Sequence, residues 1–249
     1  MTLLVQYIRP VAFRSGANLL VLQPVRSLFL LASLTLAGTG AWAQTDLQAQ
    51  ALARIFAQPK TPEQALFRAI EDDDAATFAR VLKGGVNIEA TNSGGETPLY
   101  VAAEKGRLEM AKLLLAHHAD SQALTPNGES VLHAASMIDS AALMTALIDA
   151  GAPINHANND GETPLLWATM TGTFMAVKAL ADAGADLDIA DTRVGNTPLH
   201  AAAWHDDILL VHYLLSKHVR TDIRNKQGLT AFDLAKVGGR MGVLGMLRP

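Results

Sequence analysis

Gly195-Asn196-Thr197-Pro198-Leu199-His200-Ala201-Ala202-Ala203 is the stretch that decides how this chain folds. A threonine followed by proline marks a helix start. The hydroxyl caps a free N–H of the first turn, and proline sits where a missing N–H costs nothing. The alanines that follow leave one helix face without bulk, so a neighbouring helix can approach closely. The glycine two residues ahead of the threonine suits a tight turn.

The stretch recurs. Thr97-Pro98-Leu99-Tyr100, Ser130-Val131-Leu132-His133, Thr163-Pro164-Leu165-Leu166, Thr197-Pro198-Leu199-His200 and Thr230-Ala231-Phe232-Asp233 start 33, 33, 34 and 33 residues apart. Gly95, Gly128, Gly161, Gly195 and Gly228 precede them in register. Between the tetrapeptides lies a second helical pattern, as in Leu108, Ala111, Leu114 and Leu115, and it closes on Leu147-Ile148-Asp149-Ala150-Gly151-Ala152 or Leu180-Ala181-Asp182-Ala183-Gly184-Ala185-Asp186. A fixed period of this length means stacked helical units, none of which buries its apolar face alone. Degenerate units flank the regular ones: Ala65-Leu66-Phe67-Arg68-Ala69 with Val81-Leu82-Lys83-Gly84-Gly85-Val86, and a last unit without the proline and histidine.

This pattern resembles the ankyrin repeat. The fold expected is an all-α repeat solenoid of helix-turn-helix units joined by β-hairpin loops, with four central repeats between two capping repeats. The boundaries fall at about 61–91, 92–124, 125–157, 158–191, 192–224 and 225–249.

The N-terminus reads as an address. Arg9, Arg14 and Arg26 precede the apolar run Ser27–Gly40, no acidic residue occurs before Asp46, and Ala41-Trp42-Ala43 supplies small residues where a signal peptidase cuts. The expectation is a signal peptide over 1–43, cleavage after Ala43, and a periplasmic mature protein without membrane insertion. Residues 44–60 form an N-terminal helix or linker, with Leu47, Leu52, Ile55 and Phe56 on one side of a helix over 46–57.

Composition narrows the chemistry. The chain has no cysteine, which removes disulfides, thiolate metal sites and cysteine nucleophiles. A formal charge of −4 offers no basic face for nucleic acid. Of the eight histidines, His133 and His200 occupy the tetrapeptide, where the resemblance implies backbone hydrogen bonds within and between repeats. His118 and His218 stand where an exit glycine belongs, and histidine tolerates positive φ. The acidic runs Glu71–Asp74 and Asp206-Asp207 fall in the turn before a second helix, where carboxylates cap. No nucleophile elbow, phosphate loop, dinucleotide fingerprint or zinc motif occurs. The reading is therefore a protein that is not an enzyme, with no cofactor and no metal.

The resemblance implies binding of a protein partner through hairpin tips and the exposed side of the first helix, on a concave face. Carried over by position, the tips are Glu96, Glu129, Glu162 and Asn196, with Arg193 in the one-residue insertion of the 191–196 loop. The helix positions include Met137, Ile138, Met170, Trp204 and His205. The free protein is expected to be a monomer. The chain also resembles small exported bacterial ankyrin proteins, some associated with catalases, which implies a helper in oxidative-stress defence. An immunity protein against a periplasmic toxin and a hydrolase built on the solenoid are the alternatives.

Overall fold

A computed structural model describes residues 59–248. The expected signal peptide and the helix over 46–57 lie outside the described residues. What is described is a row of helix pairs: α1 (Pro62–Glu71) with α2 (Ala75–Lys83), α3 (Pro98–Glu104) with α4 (Leu108–Ala116), α5 (Val131–Ser136) with α6 (Ala141–Asp149), α7 (Pro164–Thr171) with α8 (Phe174–Asp182), α9 (Pro198–Trp204) with α10 (Ile208–Ser216), and α11 (Ala231–Val237) with α12 (Met241–Leu244). None exceeds ten residues, and helices this short do not hold in water by themselves. Their stability comes from stacking.

The stacking surface repeats with the sequence. Leu99, Leu132, Leu165 and Leu199 in the first helices are buried, as are Leu114, Leu147, Leu180 and Leu214 in the second. Removing a leucine side chain from water contributes roughly 2 kcal/mol, and each unit supplies both halves of such a contact. Ala102, Ala134, Ala168 and Ala202 are fully buried too, so the first helices form a close-packed row.

Helix starts follow the local chemistry of the tetrapeptides. Thr97 Oγ1 accepts from Tyr100 N and Thr163 Oγ1 from Leu166 N, both at 3.3 Å. The acidic turn residues cap second helices: Asp74 accepts from Thr77 N and Asp207 from Leu210 N, each at 2.9 Å. Asp73 and Asp206 of the same runs do other work. Asp73 takes positive φ and pairs with Arg107 of the next unit, whose Nε also reaches Ile70 O. Asp206 accepts from Val243 N, capping the second helix of the unit after its own.

The loops between units are closed turns. Asn158 N donates to Glu162 O at 2.9 Å, while Asn158 Oδ1 accepts from Asp160 N and Glu162 N. Gly161 lies at φ +75, and a Cβ there would stand 2.4 Å from the Thr192 methyl. Adjacent tips are joined by single backbone bonds, Asn159 N to Asn127 O, Thr192 N to Asp160 O and Lys226 N to Val194 O. One bond per seam makes no ladder, so the expected β-hairpins appear as turns, and no strand occurs among the described residues.

Candidate protein-binding face

The histidines of the tetrapeptide are fastened on both sides. His133 Nδ1 accepts from Ser130 N at 3.0 Å, which leaves the ring proton on Nε2, directed to Glu162 O at 2.9 Å in the next unit. His200 repeats the arrangement with Thr197 N at 3.3 Å and Leu229 O at 3.0 Å. Burial lowers the His133 pKa from 6.5 to about 4, against the favourable backbone bond to Glu162, and burial lowers that of His200 as well. Neutral rings therefore hold two of the seams. His118 and His218 adopt φ +65 and +60, the conformation of the glycines they replace. Among the described residues no group of three or more His, Asp or Glu side chains is placed to hold a metal ion.

The loop-tip carboxylates are half-buried and engaged. Glu96 Oε2 accepts from the Asn92 amide at 2.7 Å. Glu129 Oε2 accepts from Tyr100 OH at 2.8 Å, across a seam, and burial together with that carboxylate raises the Tyr100 pKa. Glu162 Oε2 accepts from Trp167 Nε1 at 2.7 Å, and the Trp167 ring meets His133 edge-on at 5.3 Å. Asn196 is buried, and its Oδ1 accepts from the Asn225 amide. Arg193 is exposed, its backbone N–H held by Asp191 Oδ1 at 2.8 Å. The five residues thus divide into four that stiffen the tips and one, Arg193, whose side chain faces water.

At the ends of the first helices, Met137, Ile138, Met170 and Trp204 are each half-buried and His205 is exposed. Met137, Met170 and Trp204 hold the same register in three consecutive units, 33 and 34 residues apart. Ile138 leans on the preceding unit, its Cγ2 lying 3.3 Å from where a Gly106 Cβ would be. Trp204 lies under the last unit, with the Arg240 guanidinium 5.0 Å from its ring centre. Burial and the Arg240 charge lower the His205 pKa. Sequence reasoning missed Tyr100 and Arg240. Tyrosine in place of the tetrapeptide histidine was visible as a departure, whereas Arg240 carries no motif.

The family model described as ankyrin repeats matches three times, over residues 45–123, 66–156 and 132–227. Among solved structures, the ankyrin-repeat domain of Bcl-3, a member of the IkappaB protein family, superposes with a TM-score of 0.66 at 26 % identity, covering 74 % of this chain and 84 % of that one. Two plant potassium channels share shorter stretches. AKT3 of Oryza sativa subsp. japonica is 39 % identical over 61 residues, and AKT1 of Arabidopsis thaliana 40 % over 58. These stretches cover 24 % and 23 % of this chain, and the chain spans only 7 % of each channel.

Proposed function

The chain belongs to the ankyrin-repeat family, a family of protein-interaction modules on a typically non-catalytic scaffold, and on that premise we propose that it is an exported, periplasmic binding module that holds one protein partner on its concave face. The observation that carries the reading is the register of Met137, Met170 and Trp204. Three large side chains, none fully buried, end three neighbouring first helices. Trp204 carries the Arg240 turn of the last unit, which leaves Met137 and Met170 for a partner, and methionine is enriched at interface cores. The loop tips beside them are stiffened by Glu129–Tyr100 and Glu162–Trp167, so little conformational entropy is lost when a partner docks.

The partner's charge follows from the body of the molecule. Residues 59–216 carry twenty-one Asp and Glu against nine Lys and Arg, which favours a basic partner and gives the immunity reading its support. Export rests on the 1–43 pattern.

The test is capture from periplasmic extract by the wild-type chain and by a Met137→Ser/Met170→Ser variant whose fold is checked by circular dichroism. One protein retained by the wild type and lost by the folded variant supports the concave face. A catalase would make the chain a helper in peroxide defence, and a basic toxin would make it an immunity protein. Retention by both disproves the face. N-terminal sequencing of the secreted product should begin at Gln44, and a chain retaining residues 1–43 would overturn export by cleavage.

A further inference from the structure

The unit over 225–249 holds two large apolar side chains in water at its helix–helix turn, where Val237 is 70 % exposed and Met241 75 %. The turn of the preceding unit lies beside it, since Asp206 accepts from Gly242 N and Val243 N. That turn leads directly into Ile208 and Leu209, 54 % and 58 % exposed. The core draws on neither, for α10 buries Leu210, Val211 and Leu214 instead. Four large apolar side chains therefore stand in water on two adjacent turns, an arrangement that marks interaction surfaces.

A guanidinium is set among them. Arg240 stacks on Trp204 at 5.0 Å, and its Nε is buried without an acceptor. A buried donor left without an acceptor is costly and calls for an explanation. The turn is seated on the indole by its glycine: a Cβ on Gly238 would lie 3.2 Å from Trp204 Cζ3 and 3.3 Å from Arg240 Nε. The local charge also changes sign. Residues 217–249 carry seven Lys and Arg against two carboxylates, Asp222 and Asp233. Both of these are engaged, Asp222 by Arg220 and Asp233 by Thr230 and Arg224. Residues 59–216, by contrast, are strongly acidic.

The geometry points to this edge as a docking surface for a protein segment in which a carboxylate stands beside one or two large apolar side chains. The guanidinium fork of Arg240, oriented by its stack on Trp204, receives the carboxylate. Val237, Met241, Ile208 and Leu209 supply the apolar walls. Such a segment is repelled by the acidic repeats and attracted only here, so the charge pattern selects the place as well as the partner. The inference rests on the reading of the chain as a protein-binding module, and it places a second surface apart from Met137 and Met170.

The test is selection of a random twelve-residue peptide library on phage against the full chain at physiological salt. Selected peptides are then measured by fluorescence anisotropy against Arg240→Gln, Arg240→Lys and Val237→Ser/Met241→Ser variants. Circular dichroism and the urea midpoint establish that each variant is folded. The expected result is enrichment of Asp or Glu next to Leu, Phe or Trp, with affinity about tenfold or more weaker in Arg240→Gln and in the double variant. Arg240→Lys falls between, because an ammonium lacks the fork. Peptides without an acidic preference, or affinities untouched by these variants, overturn the proposal. So does a concentration-dependent dimer in sedimentation velocity that the double variant abolishes, because the surface then belongs to a second copy of the chain. The Met137→Ser/Met170→Ser variant keeps its peptide affinity if the edge is correct, whatever happens to the concave face.

Discussion

At His133 the ring sits between a donor that must find an unprotonated Nδ1 and an acceptor that must find a protonated Nε2. A second proton on Nδ1 would face the Ser130 N–H and break the first of these bonds. Because the native pKa is depressed to about 4 from 6.5, the unfolded chain binds the proton more readily between those values. Stability from this group is complete above pH 6.5 and lost as pH falls toward 4, by about 3 kcal/mol at about 1.4 kcal/mol per unit. Urea midpoints should fall steadily from pH 7 to pH 4, and His133→Ala should lower the pH 7 value while flattening that slope. A slope unchanged in the variant would show that other groups govern the pH dependence. His118 presents the opposite case. Its φ of +65 is one that glycine adopts without strain, so His118→Gly is expected to raise stability by about 0.5–1 kcal/mol in the same titration. Both residues were identifiable in the chain from their place in the repeat. The depth of burial that depresses the His133 pKa was not, since it belongs to the assembled stack, in which the ring also meets the Glu162 carbonyl and the Trp167 ring of the following unit.

Between elements, the seams are closed by groups acting across them. Asp139 Oδ1 accepts from Met175 N at 2.7 Å, capping α8 from the turn of the unit before, as Asp206 does for α12. Asp139→Ala should cost about 1 kcal/mol, the usual value of a cap. The loss should be read as a lower urea midpoint with an unchanged m-value, and no change would mean that water replaces the carboxylate. Gly161→Ala should be far more harmful, because positive φ and a close approach to the Thr192 backbone nitrogen at 2.6 Å coincide. A loss of about 2 kcal/mol or more is expected from strain and overpacking together. The sequence shows that an acidic residue in this turn serves a helix start. It does not show which helix, because a cap in its own unit (Asp207) and one in the next (Asp206) are chain neighbours.

For the molecule as a whole, stability is a sum of short units and their interfaces. Deleting residues 225–249 removes the Leu229 carbonyl that His200 bonds and the turn that covers Trp204. The truncated chain should show a lower urea midpoint and self-association in size-exclusion chromatography, since a buried face meets water. A monomer with an unchanged midpoint would mean that the last unit contributes little. Charge is distributed at the same scale: the acidic repeats and the basic end divide the surface, so two partners of opposite sign could be held without competing.

The sequence by itself determined the period, the six units, the helix starts and the histidines at positive φ. These follow from contacts within a few residues, repeated at a fixed interval. The residues of the candidate face were legible as positions but not as environments. Glu96 is turned to Asn92 of its own loop, Glu129 to a tyrosine of the preceding unit and Glu162 to an indole five residues on, and Asn196 is buried against Asn225. Only the tertiary structure decided these pairings, together with the stack of Arg240 on Trp204 and the exposure of Val237 and Met241. The physical reason is that most of them join groups from neighbouring units: the period brings such groups side by side, but side-chain length and rotamer settle which of them touch.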